Sequence, residues 1–163
     1  MTEQTTSLSA DVKKEIDHWL KKFPEDQKRS AMLPALRVTQ AANAGWLSED
    51  LVKAVADYLE QPHIAAFEVA TFYHMYNLKP VGRHQINVCG SISCKLCDCK
   101  GIMQHLEKKL DIKVGETTGD GKFTLKEVGC LAACVNAPMM QVNLDYHENL
   151  TPEKVDTILE TLE

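Results

Sequence analysis

No stretch of this sequence approaches the ~20 consecutive apolar residues that cross a bilayer, so no membrane-spanning helix is expected. Nor is there a surplus of positive charge. Lys and Arg total 18 against 23 Asp and Glu, a net charge of −5, whereas a protein that grips nucleic-acid phosphates needs a basic face. Glycine-rich phosphate cradles are missing too: neither G-x-G-x-x-G nor a P-loop occurs, which argues against a nucleotide site within the chain. His18, His63, His74, His84, His105 and His147 are scattered without paired ligand spacing, and surface or internally satisfied roles are expected for each. Met1-Thr2-Glu3-Gln4 shows neither the basic start of a secretory signal nor the Arg-rich, acid-poor character of a transit peptide. A cytosolic setting is therefore expected. What remains is ordinary globular material, 44% hydrophobic and 25% charged over 163 residues. That suits one medium domain or two small ones, and is too little for a dinucleotide-binding domain plus a substrate domain.

Cysteine is missing from the first half and concentrated in the second, where all 6 lie between Cys89 and Cys134. At about 4% of residues they fall below the roughly 8–10% that marks a disulfide scaffold. A cytosolic compartment keeps thiols reduced, and clustered cysteines there signal metal or redox chemistry rather than staples.

Residues 1–78 read as helices. Ser9 caps a helix to about Phe23, with Val12, Ile16, Trp19 and Leu20 at helical spacing, and Pro24 closes it. A second helix is expected over Gln27–Asn43, with Leu33, Leu36 and Gln40 along one side, Pro34 implying a late start or kink, and Gly45 ending it. Ser48-Glu49-Asp50 opens a third helix through Leu59, and Pro62 a fourth to about Tyr76. Residues 79–163 change character. His84–Cys89 alternates as a strand, 94–111 returns to helical spacing with Leu96, Cys99, Ile102, Met103, Leu106 and Leu110 on one stripe, and Phe123–Val128 is a second strand. Gly129–Ala137 reads as a loop, Met139–Leu144 and Tyr146–Leu150 as a hairpin, and Thr151-Pro152-Glu153 as the start of a last helix.

The cysteines admit several ligand sets. Cys89, Cys94, Cys130 and Cys134 form C-x4-C-x35-C-x3-C, each pair in a loop after a strand. Four thiolates are what a 2Fe–2S cluster needs. The small residues of Gly90–Ser93 and Leu131–Ala133 let backbone N–H groups approach an anionic cluster, and the helix start after Cys94 adds partial positive charge. A second set, Cys89, Cys94 and Cys97 with Cys130, spells the plant-type ferredoxin motif but leaves Cys134 idle and needs an irregular loop where helical periodicity begins. A third takes Cys94-Lys95-Leu96-Cys97 as a redox dithiol. A fourth is structural zinc, for which no compact pair of C-x2-C knuckles is present. Cys99 falls on the apolar stripe as a small core residue. Cys97 falls on the polar side with Lys100 and Gln104, as a spare thiol.

Val69-Ala-Thr-Phe-Tyr73, Pro80-Val-Gly-Arg-His84, the C-x4-C pair, Gly121-Lys-Phe-Thr-Leu125 and Cys130-Leu-Ala-Ala-Cys134 with Ala137-Pro138 together resemble the family of E subunits of bacterial NADH-quinone oxidoreductase. These are the thioredoxin-like 2Fe–2S subunits of respiratory complex I. The resemblance spans about residues 8 to 163 and implies an α/β chain, a helical N-terminal part followed by a thioredoxin-like domain. It also implies Cys89, Cys94, Cys130 and Cys134 as the cluster ligands. By the same resemblance, the chain carries electrons within an oxidoreductase complex on the cytoplasmic face of the inner membrane and exchanges one electron at a time with FMN in the NADH-binding F subunit. No residue here need act as acid, base or nucleophile. Residues 1–78 are expected to serve docking and packing, with Phe72-Tyr73-His74 either internal packing or a partner contact. Similar diaphorase subunits of NAD-linked hydrogenases or formate dehydrogenases are the alternative within the family. A thiol-disulfide enzyme using Cys94 and Cys97 is the alternative from another class.

Overall fold

Ser9 begins the ordered helices as its spacing predicts: its hydroxyl accepts the Val12 N–H at 3.3 Å and caps α1, Ala10–Leu20. The computed structural model describes residues 7–162, and Met1–Gln4 lies outside them. The chain divides into two units, Met1–Pro80 and Val81–Glu163.

In the first unit, α1 is followed by a 3-10 segment, Glu25–Ala31, then α2 (Met32–Ala42), α3 (Glu49–Tyr58) and α4 (His63–Phe72). The second helix thus starts late, five residues beyond the expected Gln27, because Gln27 itself is non-helical (φ −112°, ψ 36°). Pro34 then falls in the first turn of α2, where a missing N–H costs no intrahelical bond. This shifts the buried stripe to Met32, Ala35, Leu36 and Thr39 and turns Leu33 outward, against expectation. Helix α4 stops at Phe72 rather than Tyr76. The following segment is pulled into tertiary bonds instead: Gln40 Oε1 accepts the Asn77 N–H at 2.8 Å, Asn77 Nδ2 donates to the Gly45 carbonyl at 2.7 Å, and Tyr76 Oη donates to the Leu33 carbonyl at 2.8 Å. The core between the helices holds Ile16, Leu36, Leu47, Leu51, Val55 and Leu59, all fully buried.

In the second unit, β1 (His84–Cys89) and β2 (Phe123–Val128) match the strands expected. They run parallel, with Ile86 opposite Leu125 and Cys89 opposite Val128. The hairpin strands β3 (Met140–Val142) and β4 (Asp145–His147) complete a mixed sheet of order β2-β1-β3-β4, with β3 antiparallel to β1. Between β1 and β2 the chain makes two helices where one was expected, α5 (Ile92–Leu96) and α6 (Cys99–Leu110). The break is at Asp98, whose backbone is left-handed (φ 62°) and whose Oδ1 accepts the Gly101 N–H at 3.1 Å, restarting the helix. Leu96 is consequently off the stripe and 84% exposed, whereas Ile102 and Leu106 stay buried. These two pack with Val155 and Leu159 of α7 (Pro152–Thr161) on Ile86, Val88, Leu125, Met140 and Val142. Among the described residues no helix is long and apolar enough to cross a membrane.

Candidate metal centre

Because β1 and β2 are parallel neighbours, both end at the same edge of the sheet, and the loops that leave them start side by side. The first loop begins at Cys89, whose N–H donates to the Met139 carbonyl at 3.2 Å, while the Gly90 N–H donates to the Val128 carbonyl at 2.8 Å. The second leaves Val128 and carries Cys130, Leu131 and Cys134, the last opening a short 3-10 turn, Cys134–Asn136. A cis Ala137–Pro138 bond then returns the chain to Met139. Strand pairing thus sets the distance between the two cysteine pairs.

The sulfur of Cys89 is the hub. Burial works to raise its pKa, but N–H groups of Ser91 and Leu131, together with the thiols of Cys94 and Cys130, are aimed at it and hold it below the ordinary thiol value. Cys94 is 1% exposed. Burial first, and then its bond to Cys89, push its thiol up to about 11 against a hydrogen bond from the Met139 backbone. Cys130 is exposed, and its Sγ accepts the Ala132 N–H at 3.3 Å, an approach made possible by the left-handed backbone of Ala132 (φ 62°). Cys134 is exposed and enters none of these contacts. The structure therefore strings Cys94, Cys89 and Cys130 together and leaves Cys134 on the rim of the same loop.

The chemistry of these donors bears on which group the thiols could hold. A 2Fe–2S cluster draws on four thiolates spread over two irons. The N–H donors at Cys89, Cys94 and Cys130 are what an anionic iron–sulfur centre requires of its surroundings. The donor set fits that group. A thiol-disulfide enzyme needs an exposed, acidic nucleophile, and Cys94 is buried and pushed the other way. Cys97 is exposed at the end of α5, and Cys99 is 5% exposed in a packed group with Cys89, Cys94, Leu131 and Met139. The sequence placed a helix start after Cys94; instead Cys94 lies inside α5, and individual N–H groups supply the positive charge expected of a helix end. Ser91 and Leu131 lie in the two small-residue loops expected to bring N–H groups to the sulfurs, whereas the Met139 donor lies outside them, because backbone direction in a loop leaves no periodic trace.

The model of the thioredoxin-like [2Fe-2S] ferredoxin family matches residues 16–163. The NADH-quinone oxidoreductase E subunit of Rickettsia bellii is 47% identical over 160 residues, covering 98% of this chain and 92% of that protein. Its counterpart from Rickettsia felis is 51% identical over 141 residues, 86% and 84% of the two chains. Among solved structures, a chain of an NAD+-reducing [NiFe]-hydrogenase in the air-oxidised state superposes with a TM-score of 0.67 at 20% identity, over 78% of this chain and 22% of that one. That last likeness is one of fold. Both protein relatives match along most of the chain, helical part included, so this chain belongs to the thioredoxin-like [2Fe-2S] ferredoxin family, within its branch of NADH-quinone oxidoreductase E subunits.

Proposed function

We propose that Cys89, Cys94, Cys130 and Cys134 hold the 2Fe–2S cluster and that the chain exchanges single electrons with FMN bound in the NADH-binding F subunit of its complex. The observation that carries this reading is the meeting of two cysteine loops at the end of a parallel strand pair, with N–H donors turned onto the sulfurs. When bound, the cluster supplies a one-electron store, which a hydride donor reaches only through a flavin that splits the electron pair. The chain's own residues do the rest. Leu131, Met139 and Ala132 N–H groups stabilise negative charge on the thiolates, and Met139, Leu131 and Val128 wall the buried side against water. Cys130 and Cys134 occupy the exposed side, through which a partner's flavin approaches. Residues 1–78 serve docking within the complex, with the 80% exposed Phe72 among the contacts. The assembly sits on the cytoplasmic face of the inner membrane.

Anaerobic purification of the chain with iron and sulfide assays tests this directly. Two irons, two sulfides and a rhombic S = 1/2 signal after dithionite reduction are expected. Serine substitution at Cys89, Cys94, Cys130 or Cys134 should abolish or alter that signal, and Cys97→Ser and Cys99→Ser should retain it. Loss of the cluster in Cys97→Ser with retention in Cys134→Ser would transfer the assignment to the plant-type set.

A further inference from the structure

Glu127 is the next-to-last residue of β2, in register with Val88. Its side chain folds over the first residue of the Cys89–Cys94 loop. A Cβ placed on Gly90 would lie 2.9 Å from both Cγ and Cδ of Glu127 and would collide with its Oε1, so the carboxylate occupies space that only a glycine leaves open. The loop cannot drift from the strand that carries this side chain, since the Gly90 N–H donates to the neighbouring Val128 carbonyl at 2.8 Å. The charge of the same carboxylate also reaches the cysteine group. After burial, the largest influence on the Cys99 thiol is the Glu127 charge, and Cys99 packs in one buried group with Cys89 and Cys94. The carboxylate thus lies over the residue next to Cys89, and its charge acts on the Cys99 thiol packed with Cys89 and Cys94.

We propose that the Glu127 carboxylate is a tuning residue that lowers the reduction potential of the cluster, opposing the N–H groups that raise it. A fixed negative charge beside thiolate ligands disfavours the arrival of a further electron by Coulomb repulsion. Because Glu127 is exposed to solvent, its effect is screened by salt, unlike that of the N–H donors on the buried residues Leu131 and Met139. This inference rests on the ligand set proposed above.

The test is an EPR-monitored potentiometric titration of the full chain with its cluster, comparing wild type, Glu127→Gln and Glu127→Lys at low and high ionic strength. The midpoint should move to more positive values in Glu127→Gln and further in Glu127→Lys, with the spacing compressed at high salt. Iron and sulfide content and EPR line shape should stay those of wild type, which separates a charge effect from altered ligation. A Glu127→Gln midpoint at or below wild type, or a Glu127→Lys midpoint no higher than that of Glu127→Gln, overturns the proposal. Equal cluster content with coincident midpoints removes the role of Glu127 alone, whereas a wild-type chain without two irons removes the ligand assignment and this inference together.

Discussion

Tyr76 shows how one side chain ties local geometry to a measurable pH dependence. Its hydroxyl donates to the Leu33 carbonyl at 2.8 Å, and burial, then the neighbouring Tyr73, push its pKa from 10.0 to about 12. Between those values the unfolded chain releases a proton that the folded chain keeps, so the Tyr76 contribution favours folding below pH 10 and is lost as pH rises towards about 12. Tyr76→Phe is expected to cost about 1 kcal/mol near pH 8 through the lost hydrogen bond. The gap to wild type should then narrow through that alkaline window, read from urea midpoints at each pH. The cysteines divide by the same kind of local reading. Cys99 sits on an apolar stripe and is buried, and Cys97 sits on the polar side and is exposed, as spacing alone predicts. Spacing could not disclose that Cys89 rather than Cys94 would be the hub of the thiol contacts. That depends on which backbone N–H groups two separate loops turn towards it.

Elements with strong local signals follow the sequence closely. Ser9, Ser48 and Thr151 each accept an N–H from the residue three positions on, and α1, α3 and α7 begin there. Strands β1 and β2 keep their expected limits because alternation, glycine turns and β-branched residues agree. The departures are at element ends where local preference is weak and tertiary bonds decide: α4 yields its last turn to the Asn77 and Tyr76 contacts, and the 94–111 helix breaks at Asp98. An Asp three residues before a glycine N–H was a readable cap, masked by uninterrupted helical spacing around it. Asp98→Ala is expected to cost about 1–2 kcal/mol, since alanine neither caps Gly101 nor tolerates a left-handed backbone as well as Asp. Asp98→Asn should stay close to wild type, and urea unfolding of both variants checks the pair.

At the scale of the whole molecule, the chain is an electron-transfer component of an oxidoreductase complex, and all 6 of its cysteines lie in the second unit. Without a glycine-rich nucleotide cradle in the sequence, NADH added to the isolated chain should leave the cluster oxidised, while dithionite reduces it. Reduction by NADH should appear only after the proposed flavin-bearing partner is added, followed by visible absorbance or EPR; reduction by NADH alone would mean that this chain holds a hydride acceptor of its own. The sequence by itself determined the helical first part, the two strands each followed by a cysteine loop and the small set of thiols able to ligate iron, because periodicity, caps and spacing are properties of neighbours along the chain. Only the tertiary structure decided which N–H groups face Cys89 and Cys94, that Cys134 stays on the exposed rim, and that Glu127 lies over Gly90. The Leu131–Cys89, Met139–Cys94 and Glu127–Gly90 relations join residues tens of positions apart, and sheet register together with the path of two loops sets them. No pattern local to either segment encodes that register.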